Sequence, residues 1–448
     1  MSGARTAGRW LAAALPLIAA CGGEEPAAAG PDDPLATMEF DSMVAPPRVP
    51  QPTDLAIDPA TGRIDLSIAG VEVPADCAAQ GAMPVAQCEL DQYLEALDGY
   101  PTLGPATAPA STALAPDRLA GNVVVLDRTE GRLVDDAAVS FDAAANQLVV
   151  TPAARWDVGS TYVIAVRGYG DGVTTASGGR VVAAPATFLL KQPTSLTCGA
   201  TRADAIAPDC GYVPAAEAIL PPAVVPGLLV TLEAERQRLA KLDAWGAVER
   251  AGVPIGDVAV LWSFPVHTSP VAELDPSSGR VPRVVSASEL RIGFAGAIDP
   301  ATVTPWKLGA KGTVFLLDLT ALGAAVPDTK KGVPAFHASI EGQELVLASA
   351  APLAAGHQIG VLVTSGVASP TGAPLVPSPV TVLLRATGPL VDASGRSNVA
   401  QVGDADAAKL EAGRAELAKL LDDALFAAMT GLERRAIAYV YAFEMPAP

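Results

Sequence analysis

Asn122-Val-Val-Val-Leu-Asp127 and Thr313-Val-Phe-Leu-Leu-Asp318 correspond position by position, and the likeness continues downstream of both. Gln147-Leu-Val-Val-Thr151 matches Glu344-Leu-Val-Leu-Ala348. Trp156, Gly159 and Thr161-Tyr-Val-Ile-Ala-Val166 then match Leu353, Gly356 and Gln358-Ile-Gly-Val-Leu-Val363. Thr187-Phe-Leu-Leu-Lys191 matches Thr381-Val-Leu-Leu-Arg385, and Leu232-Glu-Ala-Glu-Arg236 matches Leu410-Glu-Ala-Gly-Arg414. Each series closes on an apolar run, Val258-Ala-Val-Leu-Trp-Ser-Phe264 and Ile437-Ala-Tyr-Val-Tyr-Ala-Phe443. Order and spacing agree throughout, so one structural unit occurs twice.

Segments this short, rich in Val, Leu and Thr and separated by Gly, Pro and Asp, predict a mainly β chain of antiparallel sandwiches. Residues 187–191 and 381–385 are included among the expected strands. Gly159 and Gly356 precede a strand by two residues, where a tight turn needs a residue without a side chain. Trp156 and Leu353 then plug the end of each core. Leu232, Leu239 and Leu242, and likewise Leu410, Leu417, Leu421 and Leu425, fall near one face of a helical stretch, which should pack on its own sandwich.

At the start of the chain, Arg5 and Arg9 precede an apolar core from Trp10 to Ala20 and then Ile18-Ala-Ala-Cys21. This resembles a bacterial lipoprotein signal with its lipobox. The core is too short to span a bilayer, for which about 20 residues are needed. The resemblance implies cleavage before Cys21, acylation of Cys21, and work outside the cytoplasm on a membrane anchor. Gly22 at the next position resembles routing to the outer membrane. Residues 21–50, rich in Ala, Pro, Gly and acids, read as a flexible tether. The expected organisation is therefore a signal peptide at 1–20, a tether at 21–50, a first unit at 51–268 and a second at 269–448.

Two further resemblances are more specific. Ser288-Glu-Leu-Arg-Ile-Gly-Phe-Ala-Gly-Ala-Ile-Asp-Pro-Ala-Thr302, followed by Ala351-Pro-Leu-Ala-Ala-Gly356, resembles the bacterial Ig-like domains of surface and S-layer-associated proteins. Pro52-Thr-Asp-Leu-Ala-Ile-Asp-Pro-Ala-Thr-Gly-Arg-Ile-Asp-Leu66 and Leu94-Glu-Ala-Leu-Asp-Gly-Tyr100 resemble the N-terminal region of bacterial virulence-factor lipases, with departures at Glu95 and Tyr100 and an inserted Cys77–Cys88 loop. Together they imply two tandem Ig-like β-sandwich units, each followed by a helical segment and a closing strand.

The lipase likeness makes a hydrolase the chemistry to look for, and its Gly-x-Ser-x-Gly elbow needs an acid and a histidine later in the chain. The sequence has no such elbow. Gly395-Arg-Ser-Asn-Val399 comes nearest, but it lacks the second glycine and no histidine follows His357. The expectation is a non-catalytic surface module that resembles the platform of such an enzyme. The alternative is a lipase- or esterase-related protein, or an accessory platform for a separate hydrolase.

With 30 basic and 48 acidic side chains the net charge is -18. An acidic surface repels phosphates, and no basic stretch interleaved with aromatics occurs, so nucleic acid is excluded as the expected partner. Charge-driven adhesion to anionic lipid is disfavoured likewise. The expected partners are the membrane, through the lipid, and a protein or glycan of the envelope.

Beyond Cys21 the cysteines form two close pairs, Cys77 with Cys88 and Cys198 with Cys210. In an exported chain these read as disulfides, with zinc as the rival that would want closer spacing. His267, His337 and His357 stand far from both loops and read as ordinary surface, loop or turn residues. No cofactor is expected. Calcium is the one ion the acids Asp54, Asp58, Asp65, Asp299 and Asp318 suggest, although Asp beside Pro or Gly is first a turn signal. The loop Gly168-Tyr-Gly-Asp-Gly172 to Gly179 has no lysine and no following helix, so it is not a phosphate cradle. It reads as a hairpin tip, with Tyr169 and Asp171 as candidate ligand contacts.

Overall fold

The computed structural model describes residues 35–42, 47–79, 83–197, 225–274, 279–323 and 329–446. In chain order come β1 (Ala36–Met38), α1 (Val85–Glu95), β2 (Ala106–Pro109), β3 (Val123–Asp127) and β4 (Arg132–Leu133). Next are β5 (Ala138–Asp142), β6 (Gln147–Thr151), β7 (Thr161–Arg167), β8 (Val181–Ala183), α2 (Pro185–Leu190), α3 (Val225–Lys241), α4 (Ala244–Arg250) and β9 (Val258–Pro265). The remainder holds β10 (Val271–Ala272), β11 (Arg283–Ser286), β12 (Glu289–Ala295), β13 (Val314–Asp318), β14 (Phe336–Glu341), β15 (Glu344–Ser349) and β16 (Gln358–Thr364). It ends with α5 (Pro379–Leu384), α6 (Asp404–Leu421), α7 (Ala424–Thr430) and β17 (Ile437–Glu444).

The chain is mainly β, with several antiparallel sheets and some helices, and it divides into two compact units. The first comprises residues up to 55, 105–153 and 161–264, and the second 56–104, 154–160 and 265–448.

Each unit carries two sheets that share a three-strand core order. In the first unit the sheets are β2-β6-β5 and β4-β3-β7-β9; in the second they are β10-β12-β15-β14, with β11 also paired to β12, and β13-β16-β17. Even the registers agree. Val123 pairs with Val166 and Asp127 with Tyr162, as Val314 pairs with Val363 and Asp318 with Ile359. Ala106 opposes Val150 and Ala108 opposes Leu148, as Leu290 opposes Leu347 and Ile292 opposes Leu345. A slip of one residue would turn every side chain to the wrong face, so matched registers mean matched inner faces.

Burial follows the sequence pattern. β5, β6 and β12 alternate, as strands with one wet face do, whereas β7, β9, β13 and β16 are buried almost continuously. Continuous burial requires cover on both faces. In the second unit one core joins Ile292 and Leu345 of one sheet, Leu317 and Val361 of the other, and Leu417 and Phe426 of α6 and α7. Trp306 stacks on Phe315 within it, ring centroids 5.1 Å apart. Of the helical leucines, Leu232, Leu239 and Leu417 are buried and Leu242, Leu410 and Leu421 half-buried, while the Leu425 side chain lies outside what is described.

Several expectations are corrected. Residues 187–191 and 381–385 are not strands; they lie in and just after the short helices α2 and α5. Pro185 and Pro379 open these helices, where the missing N–H costs nothing, and Ser378 accepts the Thr381 N–H at 3.2 Å. The tether does not extend to residue 50. β1 pairs in parallel with β8, and Ala36, Met38 and Phe40 are buried at every second position.

His337 lies on the exposed part of strand β14, not in a loop. The glycine loop after β7 is not the tip of a hairpin between β7 and β8, since β8 pairs with β1; the loop closes on itself through a Thr174–Arg180 bridge. Residues 56–104, expected to open the first unit, group with the second. There Ala86, Leu90 and Tyr93 of α1 share a core with Val382, Leu383, Leu390 and Val399. No described helix is long and apolar enough to cross a membrane.

Candidate functional site

Tyr169 and Asp171 sit where the chain leaves β7, but the loop is tied inward. Tyr169 takes a left-handed backbone conformation (φ 53°), and its hydroxyl accepts the Ala183 N–H at 3.2 Å. The Lys191 ammonium lies 5.5 Å from its ring centre. The Asp171 side chain is exposed, while its carbonyl accepts from Arg118 at 2.9 Å.

Lys191 also donates to the Gly256 carbonyl at 3.3 Å, and burial draws its ammonium down to about 8, against the pull of Asp257. Arg385 does the same task in the second unit. It reaches the carbonyls of Arg434 (3.2 Å), Arg435 and Ile437 (2.7 Å), the turn that opens β17, and burial draws it down to about 10. A cation at the end of each short helix thus ties it to the start of the closing strand.

The expected calcium ligands do not converge. Asp58 accepts from the Ala60 N–H (2.9 Å) and the Thr61 hydroxyl (2.7 Å). Asp65 accepts from Ser67 and Asp299 from the Ala301 N–H, each at 2.9 Å. Asp318 caps Ala321 at 2.9 Å and meets the His357 Nδ1 at 2.7 Å. Asp54 is held by Arg238 and by the Ser263 hydroxyl, which donates at 2.6 Å. No group of three or more His, Cys, Asp or Glu placed to hold a metal occurs among the described residues.

Sequence reasoning missed two buried polar groups. The first joins Asp54, Ser263, Arg238 and Glu235. Arg238 donates to Glu235 at 2.8 and 2.5 Å and to Ser263 at 2.7 Å. Burial works against the Arg238 charge, but Glu235 and Asp54 more than restore it, while burial pushes the Glu235 carboxyl up. Ser263 faces no histidine in this network; it is a strut between α3 and β9.

The second is His267, read from sequence as a surface residue and in fact fully buried. Burial pulls its ring down to about 4. Asp98 and the nearby Ser269 backbone oppose that pull, although neither ring nitrogen reaches a partner with good hydrogen-bond geometry. The only advance signal was its place at the end of a continuously apolar strand.

Cys77 and Cys88 form a disulfide that fastens α1. Cys21, Cys198 and Cys210 lie outside the described residues. Ser397, the nearest approach to a nucleophile elbow, donates its hydroxyl to the Val399 carbonyl at 2.8 Å.

Within the second unit a cleft of about 480 Å³ is lined by Arg155, Asp157, Thr268, Pro270, Gly296 and Ser369, among others. Arg155 is paired with Glu273, the Thr268 hydroxyl is held by Asp98, and Ser369 and Thr371 share a hydrogen bond of 2.8 Å. The cleft offers hydroxyls, the Asp157 carboxylate and a guanidinium paired with Glu273.

No known protein-family profile matches the chain, and no curated protein matches it. Among solved structures it is similar to the surface layer protein SbsC, domains 1-6, with 17% identity over 32% of this chain and 15% of that one, TM-score 0.19. It is similar to the N-terminal part of the bacterial S-layer protein SbsC at 16% identity, covering 42% of this chain and 35% of that one, TM-score 0.18. The S-layer protein rSbsC matches at 18% identity over 42% and 20%, TM-score 0.19. The chain spans only a minor part of these proteins, and a likeness of this size carries no argument.

Proposed function

We propose that the protein is a non-catalytic lipoprotein of the bacterial envelope, anchored through Cys21 and held outside the cytoplasm on the outer membrane. Its two duplicated units are tandem Ig-like sandwiches that act as a structural or binding module toward an envelope protein or glycan. One observation supports the reading: Lys191 and Arg385, at matched positions, both tie a short helix to the start of the closing strand, so these two cations serve the scaffold in each unit.

The test is affinity capture of the lipidated protein from crosslinked envelopes, with a Cys21→Ala form as the unanchored control and mass spectrometry of what is retained. A specific partner that depends on the anchor supports the reading. A captured hydrolase turns it toward an accessory platform. Labelling of the purified protein by a serine-reactive fluorophosphonate would overturn its non-catalytic part.

A further inference from the structure

The two copies part ways between a short turn and the strand that follows it. In the first unit the turn Pro116–Arg118 leads to Gly121 and β3, with four residues between Pro116 and Gly121. In the second the turn Pro300–Thr302 leads to Gly312 and β13, with eleven between Pro300 and Gly312. Both turns hang on the same backbone bond, from the Ala115 N–H to the Thr174 carbonyl at 2.9 Å and from the Asp299 N–H to the Ala368 carbonyl at 2.8 Å. β3 and β13 then pair in the same register, so the sandwich closes without the additional residues.

The addition has a fixed root and an open tip. Trp306 is buried, its backbone N–H donates to the Val314 carbonyl at 2.7 Å, and its ring stacks on Phe315. The Thr313 hydroxyl donates to the Thr302 carbonyl at 2.8 Å and closes the neck of the loop. Beyond Trp306 the chain turns back through the Ala310 N–H and the Lys307 carbonyl, 2.9 Å apart, with Gly309 in the left-handed region at φ 80°. Lys307, Leu308, Gly309, Ala310 and Lys311 are all exposed, Leu308 at 54%. A single exposed leucine is ordinary by itself, and what sets this one apart is its flanks.

Neither Lys307 nor Lys311 makes an ion pair or a side-chain hydrogen bond among the described residues. In a chain with 48 acids and 30 bases, residues 300–317 hold these two lysines and no acid. The net charge of -18 disfavours adhesion to anionic lipid for the chain as a whole. At physiological salt, however, the Debye length is about 8 Å, so only charges close to the tip decide a contact made there. An apolar side chain between two unpaired cations suits the surface of an anionic bilayer, where the apolar group passes below the headgroups and the ammonium groups stay at the phosphates.

We propose that the turn Lys307–Lys311 is a contact site for an anionic lipid surface, with Leu308 inserted and Lys307 and Lys311 at the headgroup phosphates. One leucine and two lysines hold a free protein only weakly, so the contact needs a membrane already brought near, and in this it rests on the anchored reading above. The anchor supplies residence, and the tip orients the second unit on the surface.

The test uses the chain from residue 21 on with Cys21→Ala, tied to vesicles by an N-terminal histidine tag and a nickel-chelating lipid, so that the outcome does not depend on acylation of Cys21. An Ala310→Cys form carries a nitrobenzoxadiazole fluorophore beside an intact Leu308, and a Val285→Cys form, at a position 46% exposed, is the control. On vesicles of equal parts phosphatidylcholine and phosphatidylglycerol the probe at 310 should shift to the blue and the probe at 285 should not. Lys307→Gln and Lys311→Gln should each lower the ratio of inserted to free tip about fivefold, and Leu308→Ser should abolish the shift. An unshifted probe at 310 would overturn the proposal. So would an equal shift at 285, a shift of the same size on phosphatidylcholine alone, or one that both lysine variants keep. A response to a soluble anionic polysaccharide, with none to vesicles, would also overturn it and assign the tip to a glycan. Mass spectrometry of Cys21 in the protein extracted from envelopes judges the anchor separately.

Discussion

Glu233 and Glu411 share three hydrogen bonds at matched positions in the two units, and Glu233 adds a fourth from Gln237 at 2.7 Å. Glu233 holds the guanidinium of Arg236 at 2.8 and 2.7 Å and accepts the Leu196 N–H at 2.8 Å. Glu411 holds Arg414 at 2.8 and 2.6 Å and accepts the Leu390 N–H at 2.7 Å. A fork-to-fork pair of this kind gives direction as well as energy, and the third bond pins the strand of chain that leaves each short helix. Burial pushes the Glu233 carboxyl up, but Arg236, the Leu196 N–H and Gln237 win and hold it at about 2.

Removing either carboxylate leaves a guanidinium and a backbone N–H without their partner. Glu411→Ala and Glu233→Ala should each destabilise their unit by about 2 kcal/mol. The conservative Glu→Gln form should lose less, because it still accepts from the backbone. Urea unfolding of the variants checks this, and a loss within error of zero would mean that water replaces the clamp.

Gly159 and Gly356 have φ of 76° and 75°, and a Cβ on either would meet nothing within 4 Å. The penalty for a side chain is therefore the backbone conformation alone. Gly159→Ala and Gly356→Ala should each cost about 1–2 kcal/mol, and alike, while Asn at either position should cost less. Thermal unfolding of the pair decides it; a much larger loss at one of them would reveal a hidden contact.

Those two glycines were legible because a turn before a strand leaves a local mark, and the strand pairs were legible because period-two burial repeats at matched spacing. α2 and α5 were not, since a five-residue apolar run fits a strand and a buried helical turn equally well. β1 was hidden because its alternation, Ala36, Met38, Phe40, is embedded in an Ala- and Pro-rich stretch. The docking of α1 on α5, and the Arg238–Asp54 contact across 184 residues of sequence, are long-range relations that no local pattern encodes.

That long-range network yields its own prediction. The Glu235 side chain is 2% exposed, so deleting its cation leaves a buried carboxylate uncompensated. Arg238→Met should cost about 3–5 kcal/mol, whereas Arg238→Met combined with Glu235→Leu should recover most of the loss. A double-mutant cycle by chemical unfolding measures the coupling. A double variant no better than the single would show that packing of the Arg238 stem, and not charge, is what matters.

His267 sets the acid side of the stability profile. The unfolded chain protonates this ring near 6.5, but burial keeps the folded ring neutral until about 4. Between those values the unfolded state binds the extra proton, so stability falls as pH drops from 6.5 toward 4 and this contribution levels off below. The full effect amounts to about 3 kcal/mol for a ring as buried as this one. His267→Gln should flatten the profile in that window while leaving the acid loss from Glu233, which lies between about 4.5 and 2, unchanged. Urea midpoints at pH 7, 5.5 and 4 for both proteins provide the comparison, and parallel profiles would show that the imidazole already finds a proton acceptor in the fold.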